Sequence, residues 1–360
     1  MSLRGGTEKS RPDTIFALST APGRAGIAVV RISGPDADEA LLTLTKDSLP
    51  DPRIATLRSL LDKANNVRID TALCLRFVAP LSFTGENSIE LQIHGGNAVI
   101  AAVLNELAKI RNFRLAEAGE FTKRALLNGK LDLTQAEGLA DLIDAQTEAQ
   151  RKLALRQMEG ETGRLIENWR QRLLRGAAWF EADIDFSEDE IPPDAQDQSR
   201  AQLAEIHKEI ENFLSDNRRG EILRDGFHIA VIGPPNAGKS SLVNALARRD
   251  VVIVSEIAGT TRDVVEVRLD LGGYPVIIAD TAGLRHTEDA IEAEGVRRAE
   301  QRAELADFRL LLLDGSFSDP NPEGLKGDLT VYNKADLLEK VPDEGVWIST
   351  KTGQIGRAHV

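Results

Sequence analysis

The sequence predicts a multidomain α/β protein with an N-terminal α+β domain, a helical domain and a domain of mostly parallel strands with helices on both faces. Three observations predict it. Strand and helix patterns alternate over the first 127 residues, helical spacing fills residues 128–221, and a glycine-bounded loop at 233–240 separates an apolar strand from a helix. We therefore expect domains at residues 1–127, 128–221 and 222–360, in a chain of 360 residues.

Composition narrows the class of protein. The chain is 42% hydrophobic and 28% charged, as is ordinary for a globular protein, and its net charge of −13 disfavours nucleic acid except at a local basic patch. No run of about 18 apolar residues occurs, so we expect no membrane span. Cys74 is the only cysteine, and residues 1–12 lack the apolar stretch of a secretory signal. Both features favour the cytoplasm.

The first domain shows strands at 27–32, 71–78 and 88–93 and helices at 36–45 and 97–110. Cys74 should be buried in the second of these strands. Residues 82–86, 94–96 and 118–124 are unusually rich in polar and glycine residues. They are either turns and capped helix starts, or a small-molecule site with Arg31, Glu90 and Lys130 as polar anchors.

The second domain reads as helices. Thr134 and Glu137 have the spacing of a capping box, in which side chain and backbone bond reciprocally at a helix start. Apolar residues then recur at helical spacing as far as Leu174, which is long for one globular helix and indicates a bundle or a coiled-coil-like pair. A second helix follows around residues 203–214. Three arginines at 170, 172 and 175 could form only a weak basic patch.

The loop at 233–240 has the spacing G-x-x-x-x-G-K-S. Its backbone N–H groups can surround phosphates, with the positive end of the following helix behind them. Lys239 would reach the β and γ phosphates, and the Ser240 hydroxyl would bind Mg2+. The sequence therefore predicts nucleotide binding.

Later motifs select the nucleotide. A strand hairpin turns at Gly272-Gly273, and its return strand delivers Asp280, which can hold Mg2+ through water, and Gly283, whose N–H can sense a γ-phosphate. Asn333-Lys-Ala-Asp336 reads the base, because the Asp336 carboxylate accepts from the N1 and N2 donors of guanine. Ser349-Thr-Lys351 would buttress the base. Motifs in this order at strand ends predict a GTPase.

The hydrolytic machinery departs from that of Ras. A glutamine after the Asp-x-x-Gly motif orients water in Ras-like enzymes, but here Leu284 takes its place. Another group must then supply this function. The amide oxygen of Asn236 could bind a monovalent cation beside the β and γ phosphates, where the cation would stand in for an arginine finger.

Together with these motifs, Asp13-Thr-Ile, Arg31-Ile-Ser-Gly, Ser82-Phe-Thr-Gly-Glu, His94-Gly-Gly and Lys130-Leu-Asp give a close likeness. The chain resembles the MnmE (TrmE) family of tRNA-modification GTPases, within the TrmE-Era-EngA-like P-loop GTPases. The resemblance implies a folate-binding, dimerising N-terminal domain and a Ras-like GTPase domain inserted in the helical domain. Arg31, Glu90 and Lys130 match the family's contacts to 5-formyl- or methylene-tetrahydrofolate.

The resemblance also implies the GTPase chemistry. Glu292 matches a catalytic glutamate that positions water, and it would act with Lys239 and Thr261. Mg2+ would be held by Ser240, Thr261 and Asp280, and K+ by Asn236, Ser255, Ile257 and Thr260. The implied nucleotide and cofactor contacts are Asn236, Ala237, Gly238, Lys239, Ser240, Ser241, Ser255, Thr260, Thr261, Asp280, Thr281, Ala282, Gly283, Asn333, Lys334, Asp336, Ser349, Thr350, Lys351, Arg31, Glu90 and Lys130.

Family partners follow by the same resemblance. They are a second copy of the chain, an FAD-containing modification protein (MnmG, or GidA) in a heterotetramer, and tRNA. The implied product is a carboxymethylaminomethyl-type group at C5 of the wobble uridine. The family's second helical half and its cysteine motif are expected to be missing after the Ser349 motif. A GTPase switch in ribosome or RNA assembly, and a defective fragment that only binds GTP, are the alternatives.

Overall fold

The computed structural model describes residues 13–185, 195–249, 266–280, 305–321 and 324–355. Contacts divide the chain into two compact units, Met1–Ala136 and Glu137–Val360. The predicted helix at 291–306 lies almost wholly outside the described residues. No helix within the described ranges combines the length and apolar character needed to cross a membrane.

The first unit is built on a mixed sheet. Its elements are β1 (Thr14–Leu18), β2 (Ala28–Ser33), α1 (Ala37–Thr45), β3 (Thr56–Leu61), β4 (Arg68–Phe77), β5 (Ser88–Ile93), α2 (Asn97–Ala108), β6 (Phe113–Leu115) and α3 (Glu120–Leu127). The strand order is β3-β4-β5-β2-β1-β6, antiparallel except for the parallel pair β1–β6. The predicted strands and helices of this region are confirmed.

Alternation along the strands creates the core of this unit. Ile89, Leu91 and Ile93 on β5 are buried, whereas Glu90 and Gln92 on the other face are half-buried. Helix α1 adds a buried apolar face to the same core. Cys74 is fully buried, as predicted, and its burial raises the pKa of the thiol to about 11.

A run of helices follows: α4 (Leu133–Asp144), α5 (Glu148–Met158), α6 (Glu161–Asp185) and α7 (Ala195–Asp225). The helical pattern from 139 to 174 is thus interrupted twice. The second break comes at Gly160, which lies between α5 and α6 with φ of 77°. The expectation of packed helices is confirmed by α6 and α7.

Contacts between α6 and α7 run antiparallel. Trp169 stacks edge-on against Phe213 at 5.6 Å between ring centroids, and Arg172 bonds to Glu209 and Glu205, closer to the start of α7. Arg170 forms an ion pair with Glu167. Two of the three arginines considered as a basic patch are therefore neutralised by carboxylates.

The predicted capping box at Thr134 and Glu137 is wrong. Helix α4 begins two residues earlier than that box requires, because Asp132 caps it: the Asp132 Oδ1 accepts from the Gln135 N–H at 2.7 Å, and the Asp132 N–H donates to Gln135 Oε1 at 3.0 Å. Thr134 lies inside the helix and donates its hydroxyl to Asp132. Aspartate is a better cap than threonine, which explains the shift.

The rest of the second unit is an α/β sheet. Its elements are β7 (Phe227–Ile232), α8 (Lys239–Arg249), β8 (Glu266–Leu271), β9 (Tyr274–Asp280), β10 (Phe308–Asp314), β11 (Leu329–Asn333), a 3-10 turn (Ala335–Leu337), β12 (Val346–Ser349) and β13 (Gln354–Ile355). The strand order is β13-β12-β11-β10-β7-β9-β8. Strands β8 and β13 are antiparallel to their neighbours. The predicted mostly parallel sheet and the Gly272-Gly273 hairpin are confirmed.

A single residue, Gly226, joins the last residue of α7 to β7. Its N–H donates to the Ile222 carbonyl at 3.0 Å, which closes the helix end. A Cβ at this position would lie 3.0 Å from Ile277 Cδ1 on β9. The helix therefore passes directly into the strand that carries the glycine-bounded loop.

Candidate nucleotide site

The site is set by the direction of the strands. Strands β12, β11, β10, β7 and β9 run parallel, so their carboxyl ends meet at one edge of the sheet. The loop at 233–240 follows β7 at this edge, and Asn333 and Ser349 end β11 and β12. Crevices at the carboxyl ends of parallel strands are where α/β sheets bind ligands. The topology thus gathers motifs that are distant in sequence.

The loop itself is shaped by two glycines. Gly233 has φ of 149°, and a Cβ there would lie 2.0 Å from the Leu312 carbonyl oxygen. Gly238 has φ of 97°, and its Cβ would lie 2.3 Å from Asn333 Nδ2. Asn236 also has a positive φ, 63°. Only this backbone path lets the loop curl close to two neighbouring strands.

The Lys239 side chain hydrogen-bonds to the backbone at the start of the loop. The residue is 9% exposed, and its ammonium donates to the carbonyl oxygens of Gly233 at 2.6 Å and Pro234 at 2.8 Å. Ser240 and Ser241 follow in the first turn of α8 and are exposed. The positive end of α8 and the lysine charge thus face the same short loop.

Asn333 links the loop to the base-reading segment. Its Nδ2 donates to the Ala237 carbonyl oxygen at 2.9 Å, and its Oδ1 accepts from the Thr350 N–H at 3.2 Å. The side chain is 1% exposed. One buried amide therefore holds three predicted motifs together, using its donor and its acceptor.

Asp336 is held by Ser349. The Ser349 hydroxyl donates to Asp336 Oδ1 at 2.6 Å and accepts from the Thr352 N–H at 3.2 Å. Ser349 is buried, whereas Asp336 and Lys351 are exposed. The serine therefore fixes one carboxylate oxygen of a side chain that remains accessible to a ligand.

Sequence reasoning missed Asp314, the last residue of β10. It is 6% exposed and forms an ion pair with Lys334. The available signal in the sequence was an acidic residue at the end of a strongly apolar strand. In the structure, Asp314 is in register with Asn333 on β11. Its partner could be recognised only after the two strands were paired.

Several predicted site residues cannot be placed. Asp280 ends β9, but the structure does not describe its side chain. Leu284 lies outside the described residues. So do the predicted ligands and catalytic groups Ser255, Ile257, Thr260, Thr261, Thr281, Ala282, Gly283 and Glu292.

In the first unit, Arg31 and Glu90 lie directly opposite each other on β2 and β5. The Arg31 guanidinium donates twice to Glu90 Oε1, at 2.9 and 3.0 Å. It also lies 5.1 Å from the ring centre of Phe83 and 5.8 Å from that of Phe121. Lys130 contacts the loop that carries Phe83, since its ammonium donates to the Pro80 carbonyl oxygen at 3.2 Å.

An ion cluster of Asp13, Glu86, Arg114, Glu120 and Arg124 explains other polar motifs of this unit. Arg124 is 11% exposed and bonds to all three carboxylates, and Arg114 adds bonds to Asp13 and Glu120. Hydrogen bonds from Arg114 outweigh burial and lower the pKa of Glu120 to about 2. The cluster joins three separate chain segments.

Two family models match successive parts of the chain. Residues 14–130 match the family model of the GTP-binding protein TrmE N-terminus, and residues 133–357 match that of the MnmE helical domain. A crystal structure of a variant of Era from Aquifex aeolicus, bound to GDP and AlF4-, is 27% identical. The match covers 35% of this chain and 52% of the Era chain, with a TM-score of 0.27.

Curated relatives are much more similar. The tRNA modification GTPase MnmE of Parvibaculum lavamentivorans is 54% identical over 95% of this chain and 79% of its own length. That of Caulobacter vibrioides is 52% identical, over 91% of this chain and 73% of its own length. The mitochondrial 5-taurinomethyluridine-[tRNA] synthase subunit GTPB3 of Danio rerio is 55% identical over 84% of this chain and 60% of its own length. The chain therefore belongs to the MnmE family of tRNA modification GTPases.

Proposed function

We propose that this chain hydrolyses GTP as part of the modification of the wobble uridine of tRNA. One observation carries the proposal: a phosphate-type loop and an exposed carboxylate suited to guanine are linked by the buried Asn333 side chain. Membership of a family whose members are named tRNA modification GTPases supplies the substrate class.

Guanine is the base that fits Asp336. Its carboxylate would accept from the N1 and N2 donors of guanine, while the Ser349 hydroxyl keeps one oxygen in place. Adenine does not offer this donor pair, so its binding would leave the carboxylate unpaired and is disfavoured. Lys334, Thr350 and Lys351 complete the proposed base-side contacts.

The loop at 233–240 and the start of α8 would bind the phosphates. Lys239 would exchange its bonds to Gly233 and Pro234 for the β and γ phosphates, with Ala237, Gly238 and Ser241 contributing around them. The exposed hydroxyl of Ser240 is a suitable oxygen ligand for Mg2+. Thr261 and Asp280 are its proposed companions, and Thr281, Ala282 and Gly283 would lie near the γ-phosphate.

Hydrolysis is proposed to need K+ and Glu292. Asn236 is exposed and its amide oxygen is a ligand of the right chemistry for K+, with Ser255, Ile257 and Thr260 completing the set. The cation would neutralise developing charge on the phosphates. Glu292 would orient the attacking water, a function that Leu284 lacks.

The first unit is proposed to bind 5-formyl- or methylene-tetrahydrofolate. Arg31 and Glu90 place a donor group beside an acceptor group, which can read the polar edge of a pterin ring. Phe83 and Phe121 provide aromatic surface next to them. Lys130 could then pair with a carboxylate of the ligand.

The proposed assembly is a homodimer that works with tRNA and an FAD-containing partner in the cytoplasm. The zebrafish relative is named as a synthase subunit, which supports a partner protein. We place the folate, helical and GTPase regions at 1–127, 128–221 and 222–360. The donated group would be of the carboxymethylaminomethyl type, at C5 of the uridine.

A direct experiment combines nucleotide competition with turnover. Fluorescent GDP bound to the chain should be displaced by GTP but not by ATP at equal concentration, and phosphate release should require GTP and Mg2+. The matched variant Lys239→Ala should lose phosphate release, because the loop loses its cation. Equal displacement by ATP and GTP would contradict the proposal.

A further inference from the structure

Asp314 occupies a position in the sheet that no predicted motif explains. It ends β10 in register with Asn333, the first residue of the base-reading motif. The following residue, Gly315, donates its N–H to the Asn333 carbonyl oxygen at 2.9 Å. The carboxylate is 6% exposed, so a negative charge is buried beside the motif.

Both carboxylate oxygens of Asp314 are bonded. Oδ1 accepts from the Ser316 N–H at 3.1 Å and from the Ser316 hydroxyl at 2.6 Å, while Oδ2 accepts from the Lys334 ammonium. Burial raises the pKa of Asp314, but these hydrogen bonds outweigh it, and the pKa lies below its usual value. The group is therefore a carboxylate, and Ser316 fixes its orientation.

Lys334 connects this carboxylate to the base reader. Its backbone is left-handed, with φ of 66°, a conformation that residues with a Cβ adopt reluctantly. It is also the cap of the 3-10 turn Ala335–Leu337, since its carbonyl oxygen accepts from the Leu337 N–H at 3.0 Å. Asp336 is the middle residue of this turn. Holding the Lys334 side chain therefore helps to hold the turn that presents Asp336.

We propose that Asp314 is a positioning residue for guanine-nucleotide binding, which acts by anchoring Lys334 and so the turn that carries Asp336. The inference rests on the proposed function and adds a residue to it. Asp314 touches neither base nor phosphate in this scheme. Its loss should weaken binding and leave the chemical step almost unchanged.

The test replaces the charge and keeps the shape. In Asp314→Asn, an amide faces the Lys334 ammonium, so the anchoring charge-assisted bond is lost. We expect the Kd of fluorescent GDP and the KM for GTP to rise about tenfold, and kcat at saturating GTP to change by less than about twofold. An unchanged Kd, or a fall in kcat with an unchanged KM, would overturn the proposal.

The same two strands offer a matched control. Asp328, which precedes β11, accepts from the Arg309 N–H at 2.7 Å and pairs with the Arg309 guanidinium at 3.4 Å. This pair lies at the amino ends of β10 and β11, whereas Asp314 lies at the carboxyl end of β10. Asp328→Asn removes a charge of the same sign from the same pair of strands, away from the site. GDP affinity should stay within about twofold of wild type, and a loss as large as that of Asp314→Asn would overturn the proposal.

A double-mutant cycle tests the route through Lys334. Asp314→Asn combined with Lys334→Gln should bind GDP no more weakly than Lys334→Gln alone, because Asp314 has no ammonium left to anchor once Lys334 is replaced. Effects that multiply would overturn the proposed route. If Asp314→Asn does not fold, Ser316→Ala decides, since it removes the hydroxyl that orients Asp314 and has no proposed contact with nucleotide. Its GDP affinity should fall, and wild-type affinity would overturn the proposal. Failure of the wild-type chain to bind GDP would instead refute the proposed function.

Discussion

In the proposed function, the base preference of the nucleotide site depends on one carboxylate, that of Asp336. The Ser349 hydroxyl holds one of its oxygens at 2.6 Å, and the side chain is otherwise exposed. In the proposed complex it accepts from two donors of guanine. Under this proposal, the donor and acceptor pattern at this one residue decides which purine is bound.

Asp336→Asn should change the base preference. The amide offers a donor where the carboxylate offered an acceptor, which suits the carbonyl oxygen at position 2 of xanthine. We expect GTP affinity to fall about a hundredfold and xanthosine triphosphate to become the better ligand, as measured by displacement of fluorescent nucleotides. Ser241→Ala, on the phosphate side, is the control that should keep the guanine preference. Unchanged selectivity in Asp336→Asn would count against the assignment.

Glu292→Ala should separate binding from hydrolysis. In the proposed mechanism Glu292 orients water and does not hold nucleotide, so its loss should slow phosphate release by about a hundredfold while GDP affinity stays nearly constant. Single-turnover hydrolysis and GDP titration on the same sample measure the two effects. Normal turnover would remove Glu292 from the mechanism.

At the scale of the elements, helix α5 is fixed by a capping box that sequence reasoning missed. The Thr147 hydroxyl accepts from the Gln150 N–H at 3.3 Å, and the Thr147 N–H donates to Gln150 Oε1 at 3.0 Å. Gln150 Nε2 also donates to the Arg224 carbonyl oxygen at 2.9 Å, near the end of α7. One glutamine therefore joins the start of one helix to the end of another.

Thr147→Ala should destabilise this junction. The residue is 4% exposed, and loss of its hydroxyl leaves the Gln150 N–H without its cap. We expect the free energy of unfolding to fall by about 1 kcal/mol, measured by urea denaturation. Thr147→Ser keeps the hydroxyl and should recover most of the loss. Equal losses in both variants would show that the methyl group, and not the cap, stabilises α5.

The ion cluster that ties α3 to β6 predicts an acid limit for the first unit. The pKa of Glu120 is lowered from 4.5 to about 2, chiefly by its hydrogen bonds to Arg114. The unfolded chain therefore binds a proton more readily than the folded chain. Glu120 contributes its full stabilisation above pH 4.5 and loses it as the pH falls towards 2.

Glu120→Gln should accordingly be less stable at pH 7 and lose less stability between about pH 4.5 and 2 than wild type. Circular dichroism at a series of pH values measures both effects. Glu148→Gln is a sharp control, since the pKa of Glu148 is also lowered to about 2 by Arg151, but the pair is exposed. Solvent screens such pairs, so this variant should resemble wild type. Identical acid limits for Glu120→Gln and wild type would contradict the role of the cluster.

The elements also show what the sequence could and could not predict. Periodicity found β5 and α1 because their buried faces depend only on local spacing. The spacing of the predicted capping box misplaced the start of α4. Asp132 and Thr134 both have side chains that can cap a helix, and only the hydrogen bonds to the backbone decide between them. Asp314 was missed because its partner lies on another strand.

At the scale of the whole molecule, the GTPase motifs were predictable because each follows a strand end at a fixed spacing. Their assembly was harder to predict, since it depends on the strand order and on one buried amide, that of Asn333. In the first unit, the Arg31–Glu90 pair follows from strand register, which sequence spacing alone did not reveal.

Replacing K+ by Na+ should lower GTP hydrolysis by the whole chain at least about tenfold. The expected cause is the smaller ionic radius of Na+, which a ligand set sized for K+ would fit poorly. Phosphate release in buffers of equal ionic strength measures the effect, and Asn236→Ala should be slow in both buffers. Equal rates in the two salts would refute the role given to Asn236.

The direct junction at Gly226 has a mechanical consequence. Helix α7 has 31 residues, which makes it about 46 Å long at 1.5 Å per residue. One residue, Gly226, separates it from the amino end of β7, and the six residues of β7 lie between this junction and the loop at 233–240. A change in the direction of the strand would therefore be carried into the helix. A tilt of only about 5° at the junction would carry the far end about 4 Å, by the same helix length.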